Sequence, residues 1–334
     1  RIGRLVCRYV ARLRNRGEQI RVVAINATRI VDYLAYQFRF DTVHGQYPGE
    51  VSFEKVSGQD YLIVDGMRIL VSQCSSPSEI DWKGVGAEYI CESTGRFTTF
   101  EAAKGHLEGG AKKVVLSSPP KSPEIPMYVM GVNHQQYSGE TIVSNASCTT
   151  NCIAPLAEII HRRFGIEMGL MSTIHSMTAS QLTVDGSSKG GKDWRAGRAA
   201  SGNIIPASTG AAKAVGKVIP SLEGRLTGMA FRVPTLNVSA VDLTCVLSGS
   251  GRDVEKVLSA IREESQGPRY QGIVGVEDSP VVSSDFNGDN RSCIVDAKSC
   301  IELEKGGMIK IVAWYDNEWA YSQRLVELIR VVSD

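Results

Sequence analysis

The chain has 334 residues, with 37 lysines and arginines against 36 aspartates and glutamates and a formal net charge of +1. That balance offers nothing to nucleic acid or to an acidic membrane surface, and no apolar run is long enough to span a bilayer. Eight cysteines spread over this length make no disulfide framework and fit a reducing compartment, while the length itself predicts two domains, each able to bury its own core.

In chain order, Arg1-Ile2-Gly3-Arg4-Leu5-Val6 already reads as helix. A parallel nucleotide-binding sheet has a strand and a glycine-rich turn before its first helix. The expectation is therefore a chain that lacks its first strand, with Gly3 as the last glycine of that turn. Ile20 to Asn26 reads as a strand and Ile30 to Phe38 as a helix. Tyr89-Ile90-Cys91 is a short strand running into the turn Glu92-Ser93-Thr94-Gly95, followed by a helix from Phe97 to Leu107 and the strand Lys113 to Ser117. Such alternation implies a parallel sheet with right-handed crossovers. Ligands of these sheets bind beyond the carboxyl ends of the strands. Asn26, Ser93-Thr94-Gly95, Ser117 and Cys148 all fall there.

The apolar run Thr141-Ile142-Val143 leads into Ser144-Asn145-Ala146-Ser147-Cys148-Thr149-Thr150-Asn151-Cys152 and then into Ile153 to Ile160. This reads as a strand, a turn of small residues and a helix opening directly from it. Cys148 then sits at a helix N-terminus, where free amides and the helix dipole favour a thiolate. Hydroxyl and amide side chains crowd the same turn, suited to capping or to an anion. A lone cysteine is more often a buried core residue. Cys152 invites a metal reading, but no second Cys or His pair follows at ligand spacing. The pattern favours a reactive cysteine.

Beyond this point the texture changes. Val238 to Leu247 alternates as a half-exposed strand, predicting a mainly antiparallel sheet. Helices at Ala211 to Val218 and Arg252 to Glu264 would cover its other face. The chain closes with a helix from Glu318 to Val332, with Leu325, Leu328, Ile329 and Val332 on one face. Of five histidines, His175 is the candidate base for Cys148, although an isolated histidine after a strand is more often structural. His44, in Asp41-Thr42-Val43-His44-Gly45, reads as structural. Arg232 supplies a planar fork for a phosphate, or a plain surface charge.

Taken together, these residues resemble phosphorylating glyceraldehyde-3-phosphate dehydrogenases over essentially the whole chain. The resemblance is carried by Ser144 to Cys152, Ser172-Thr173-Ile174-His175, Asp193-Trp194-Arg195-Ala196-Gly197-Arg198, Ile204 to Lys213, Gly228 to Pro234 and Trp314-Tyr315-Asp316-Asn317-Glu318. It implies an α/β fold: an N-terminal Rossmann-type parallel sheet with its first strand missing, plus an α+β catalytic domain with a mainly antiparallel sheet. The implied boundaries are 1–147 for the cofactor domain, 148–316 for the catalytic domain, and 317–334 for a helix packing back on the first. It further implies a homotetramer that oxidises glyceraldehyde 3-phosphate with NAD or NADP and inorganic phosphate, through a thioester on Cys148. His175 is implied as base. Arg232 and Thr178 match the substrate-phosphate position; Ser147, Thr149, Thr209 and Gly210 match the inorganic-phosphate position. For the cofactor, the matching positions are Arg1, Ile2, Asn26, Thr94, Ser117, Ser187, Asn317 and Tyr321, with Asn317 holding the carboxamide. The related erythrose-4-phosphate dehydrogenases, which hydrolyse their thioester, lack support in Ser208-Thr209-Gly210 and Thr178.

Two positions depart from NAD-specific relatives. The second strand ends in Asn26-Ala27 where those relatives place an aspartate after the asparagine, so a carboxylate that would repel a 2′-phosphate is absent. Ser187 stands where they place proline and adds a donor, with Arg29 as a plausible cation. Use of both NAD and NADP is expected, and the plastid stroma joins the cytoplasm as an expected compartment. The loop Ser187 to Asp193 reads as a solvated bulge.

Overall fold

The opening helix α1 (Ile2–Asn15) buries Leu5, Val6, Tyr9, Val10 and Leu13. Cys7, Arg8 and Ala11 are buried as well, so the helix is enclosed on most of its circumference along its middle turns. In the computed structural model, which describes residues 1–188, 191, 193–248, 253–303 and 307–333, the chain forms two units. The first is Arg1–Tyr128 with Gln136–Ala146 and Ser322–Asp334, and the second is Val129–Gln135 with Ser147–Tyr321.

In the first unit, β1 (Ala24–Asn26), α2 (Val31–Arg39), β2 (Val51–Val56), β3 (Gln59–Val64) and β4 (Met67–Ser72) follow α1. They build a four-stranded sheet in the order β1-β4-β3-β2. β1 runs parallel to β4, and β2, β3 and β4 are joined as antiparallel hairpins. Both hairpin turns, Ser57-Gly58 and Asp65-Gly66, hold their two residues at positive φ, the geometry whose twist matches the strands it connects. The Asp-Gly pair between alternating runs carried that signal in the sequence. A second, all-parallel sheet contains β5 (Tyr89–Glu92), β6 (Lys113–Leu116) and β7 (Ile142–Ser144), with α3 (Phe100–Glu108) crossing between β5 and β6.

The parallel arrangement read from the sequence is therefore present in two pieces. A cleft of about 550 Å³ is lined by Ile20 to Ala27 on one side and Tyr89 to Thr94 on the other. Among the described residues, β1 pairs only with β4, and β5 only with β6. The strand expected from Ile20 is regular only from Ala24, because one edge alone supplies ladder bonds.

The second unit holds an eight-stranded sheet. Its elements are α4 (Cys148–Phe164), β8 (Ile166–His175), β9 (Ile205–Ser208), α5 (Ala211–Val218), β10 (Leu226–Arg232), β11 (Ser239–Leu247), α6 (Val254–Gln266), β12 (Val274–Glu277), β13 (Cys293–Asp296), β14 (Ile301–Glu302) and β15 (Met308–Tyr315). The order is β12-β13-β15-β11-β8-β10-β9, with β14 on β15. Among the described residues, only the β8–β10 and β12–β13 pairs of this sheet are parallel. Helix α6 begins after Asp253, whose side chain accepts from the Lys256 amide, a capping arrangement that sets the start; the expected start at Arg252 lies outside the described residues. Helix α4 packs on α5, α6 and the sheet. Met168, Leu170 and Ile174 on β8 and Met229 on β10 remain exposed. Helix α7 (Trp319–Ser333) closes the chain.

Candidate active site

The nucleophile's position is set by a cap. Ala146 takes a left-handed φ of 55°, turning the chain into Ser147. The Ser147 hydroxyl accepts the Thr150 amide at 3.0 Å and meets the Thr150 hydroxyl at 2.7 Å. Cys148 is then the first residue of α4. One orphan amide of the helix end is satisfied, and the end still faces the thiol.

Strand β8 delivers His175 as its last residue, with Nε2 3.5 Å from Cys148 Sγ. Nδ1 lies 2.7 Å from the Ser176 carbonyl oxygen. A carbonyl only accepts, so Nδ1 carries the proton and Nε2 of the neutral ring offers its lone pair to the thiol. Burial, and the Arg232 guanidinium beside it, push the imidazole down to about 4. Burial also pushes the Cys148 thiol up, against the opposing pull of the Thr149 side chain, the helix amides and Arg232. The helix end favours the thiolate and desolvation opposes it. Moving the proton from Sγ to Nε2 leaves two ions facing each other.

Arg232 ends β10 in register with His175 on β8. Its Nη1 is buried and lacks a hydrogen-bond partner among the described residues. A guanidinium nitrogen in that state calls for an anionic acceptor. Behind Cys148, the Tyr315 hydroxyl meets Thr149 Oγ1 and Thr173 Oγ1, each at 2.9 Å, tying β15 and β8 to the first turn of α4. Sequence pattern alone did not show Tyr315, Thr173 or Ser176 here, because their meeting depends on cross-sheet register.

The other expected residues divide by place. Thr178 donates its amide to Gln181 Oε1 at 3.0 Å and meets Ser180 Oγ at 2.9 Å. Thr209 accepts the Ala211 amide at 3.2 Å, and Gly210 caps α5, whose first turn carries no acidic residue. Asn317 is buried and accepts from Ser239 Oγ at 2.8 Å. Tyr321 is buried at the start of α7, and Ser187 is exposed.

In the first unit, Arg1, Asn26 and Thr94 line the cleft, while Ile2 and Ser117 do not. Arg1 pairs with Asp41. Asn26 shapes the end of β1: its Oδ1 accepts from Ser72 Oγ and the Cys74 amide, and its Nδ2 donates to the Cys74 carbonyl. Thr94 is held by Glu92, which accepts its amide at 2.6 Å. The other Glu92 oxygen meets His106 Nε2 at 2.9 Å, and Trp82 Nε1 donates to His106 Nδ1 at 3.1 Å. A Cβ on Gly3 would lie 2.5 Å from Ser93 Oγ, so a side chain there would require the serine hydroxyl to rotate aside. The N-terminus of α1 has no acidic residue in its first turn, which suits an anion such as a pyrophosphate.

Two family profiles match the chain: "Glyceraldehyde 3-phosphate dehydrogenase, NAD binding domain" over residues 1–100 and "Glyceraldehyde 3-phosphate dehydrogenase, C-terminal domain" over residues 147–317. The cytosolic glyceraldehyde-3-phosphate dehydrogenase of Craterostigma plantagineum is 56% identical over 332 residues, covering 99% of this chain and 95% of its own length. Glyceraldehyde-3-phosphate dehydrogenase 1 of Kluyveromyces lactis is 52% identical over 334 residues, covering 100% of this chain and 97% of its own. The glyceraldehyde-3-phosphate dehydrogenase of Schizophyllum commune is 53% identical over 331 residues.

Proposed function

The chain belongs to the glyceraldehyde-3-phosphate dehydrogenase family, and on that premise we propose that Cys148, His175 and Arg232 carry its reaction. It is an NAD-dependent oxidoreductase whose substrates are glyceraldehyde 3-phosphate and inorganic phosphate. The supporting observation is the 3.5 Å approach of Cys148 Sγ to His175 Nε2 beside a guanidinium with an unsatisfied buried nitrogen.

In this reading, His175 takes the thiol proton as Sγ attacks the aldehyde carbon, giving a hemithioacetal. The protonated ring gives that proton to the alkoxide oxygen, and the neutral ring so regenerated takes the hydroxyl proton back as the hydride leaves. Bound NAD supplies the hydride acceptor. The oxidised carbon remains on Cys148 as a thioester, and phosphate attacks it to release 1,3-bisphosphoglycerate and the thiol. Arg232 and Thr178 hold the substrate phosphate. Ser147, Thr149, Thr209 and Gly210 hold the attacking phosphate, using small hydroxyls and the acid-free start of α5. For the cofactor, the residues assigned are Arg1, Ile2, Asn26, Thr94, Ser117, Ser187, Asn317 and Tyr321. All steps are reversible.

NADP joins NAD in the proposal, because Ala27 stands where NAD-specific relatives place a carboxylate that would repel a 2′-phosphate, Ser187 adds an exposed donor, and Arg29 is exposed nearby in sequence. A homotetramer is proposed from the exposed apolar face of β8 and β10. The cytoplasm is the proposed compartment, with the plastid stroma the alternative that NADP use would favour.

The test is NAD reduction with glyceraldehyde 3-phosphate, with and without inorganic phosphate. Sustained turnover only with phosphate, and acyl phosphate as product, is expected. Equal turnover without it would replace this reading by thioester hydrolysis. Kinetics with both cofactors test the second clause, which strict NAD preference by several orders of magnitude would refute.

A further inference from the structure

A carboxamide that holds a ligand needs its own orientation fixed, since its oxygen and nitrogen ends differ in what they can bind. Asn317 follows β15 and is buried, and its Oδ1 accepts from Ser239 Oγ at 2.8 Å. Ser239, the first residue of β11, is itself buried. Its oxygen accepts the Ser176 amide at 3.0 Å. A backbone amide can only donate, so the hydroxyl proton of Ser239 is left for Asn317. If the carboxamide turned over, that buried proton would face an NH₂ group and lose its acceptor.

The same serine is anchored from its other side. Val238, just before it, holds a φ of 64°, a left-handed conformation that a β-branched residue keeps only under external constraint. The constraint is visible: the Val238 carbonyl accepts Ser176 Oγ at 2.7 Å, and that hydroxyl is also met by Thr235 Oγ1 at 2.8 Å. The Ser176 carbonyl is in turn the acceptor for His175 Nδ1. A continuous buried path thus runs from the base through Ser176 and Ser239 to Asn317.

We infer that Ser239 is a positioning residue: its hydroxyl fixes the Asn317 amide so that Nδ2 is presented as the donor to the cofactor's carboxamide, in register with the base. The inference rests on the assignment of Asn317 to that carboxamide. Ser239 touches neither substrate nor cofactor; it acts through Asn317.

A double-mutant cycle on the full chain tests it, using Ser239→Ala, Asn317→Ala and the pair. The readouts are kcat, KM for NAD, and the primary isotope effect with aldehyde deuterated at the carbonyl carbon. Ser239→Ala is expected to slow hydride transfer by about tenfold or more and to raise the isotope effect, with KM for NAD little changed. In the Asn317→Ala background, the same change should cost less than about twofold. An equal loss in both backgrounds marks a purely structural role and overturns the inference. A slow Asn317→Ala protein beside an unimpaired Ser239→Ala protein also overturns it, while leaving the Asn317 assignment intact. An unimpaired Asn317→Ala protein removes that assignment and the inference together.

Discussion

Two side chains at opposite ends of secondary structure meet at 3.5 Å: Cys148 opens α4 and His175 closes β8. Replacing Cys148 by serine should lower NAD reduction by roughly 10³-fold or more, because an alcohol at the same place is a far weaker nucleophile. A loss under about tenfold would mean the sulfur is not the attacking atom. His175→Asn should cost about 10²- to 10⁴-fold in kcat. The base also shapes stability. Its folded value falls from 6.5 to about 4, so as pH drops below 6.5 the unfolded chain takes the proton first. Stability present above pH 6.5 is lost progressively down to pH 4. The difference at pH 5 is about 2 kcal/mol. Urea denaturation at pH 7 and pH 5 should show that extra loss in the parent chain and not in His175→Asn; identical losses would contradict it.

Among the elements, the parts legible in the sequence were those with local signals. α4 was readable from its small-residue cap, and α5 from its apolar spacing over Ala211–Val218. The Cys148–His175 pair was readable from residue type and strand or helix ends. What was not legible depended on pairing. Tyr315 reaches Thr149 and Thr173 only through the order of β15, β11 and β8. His106 gave no signal as a lone histidine in a helix, yet it joins α3 to β5 by linking Trp82 and Glu92. His106→Ala should destabilise the first unit by about 2 kcal/mol, since it leaves one oxygen of the buried Glu92 carboxylate and an indole N–H without their partner. Thermal unfolding would reveal it; a change under about 1 kcal/mol would contradict the network's role.

For the whole molecule, the formal charge of +1 leaves apolar contact as the force for self-association. The exposed face carries Met168 at 61%, Leu170 at 65%, Ile174 at 37% and Met229 at 38% exposure, a cluster of apolar side chains that contact with another copy would cover. Leu170→Glu should therefore shift sedimentation to a smaller species, and an unchanged mass would contradict the proposed tetramer. The central claim is that the oxidised substrate is carried on one sulfur. Its most direct measurement is tandem mass spectrometry of protein mixed with glyceraldehyde 3-phosphate and NAD without inorganic phosphate, then acid-quenched. A phosphoglyceroyl group on Cys148 that disappears when phosphate is added is the predicted result; acylation at Cys152 or any other thiol, or none during turnover, would contradict it.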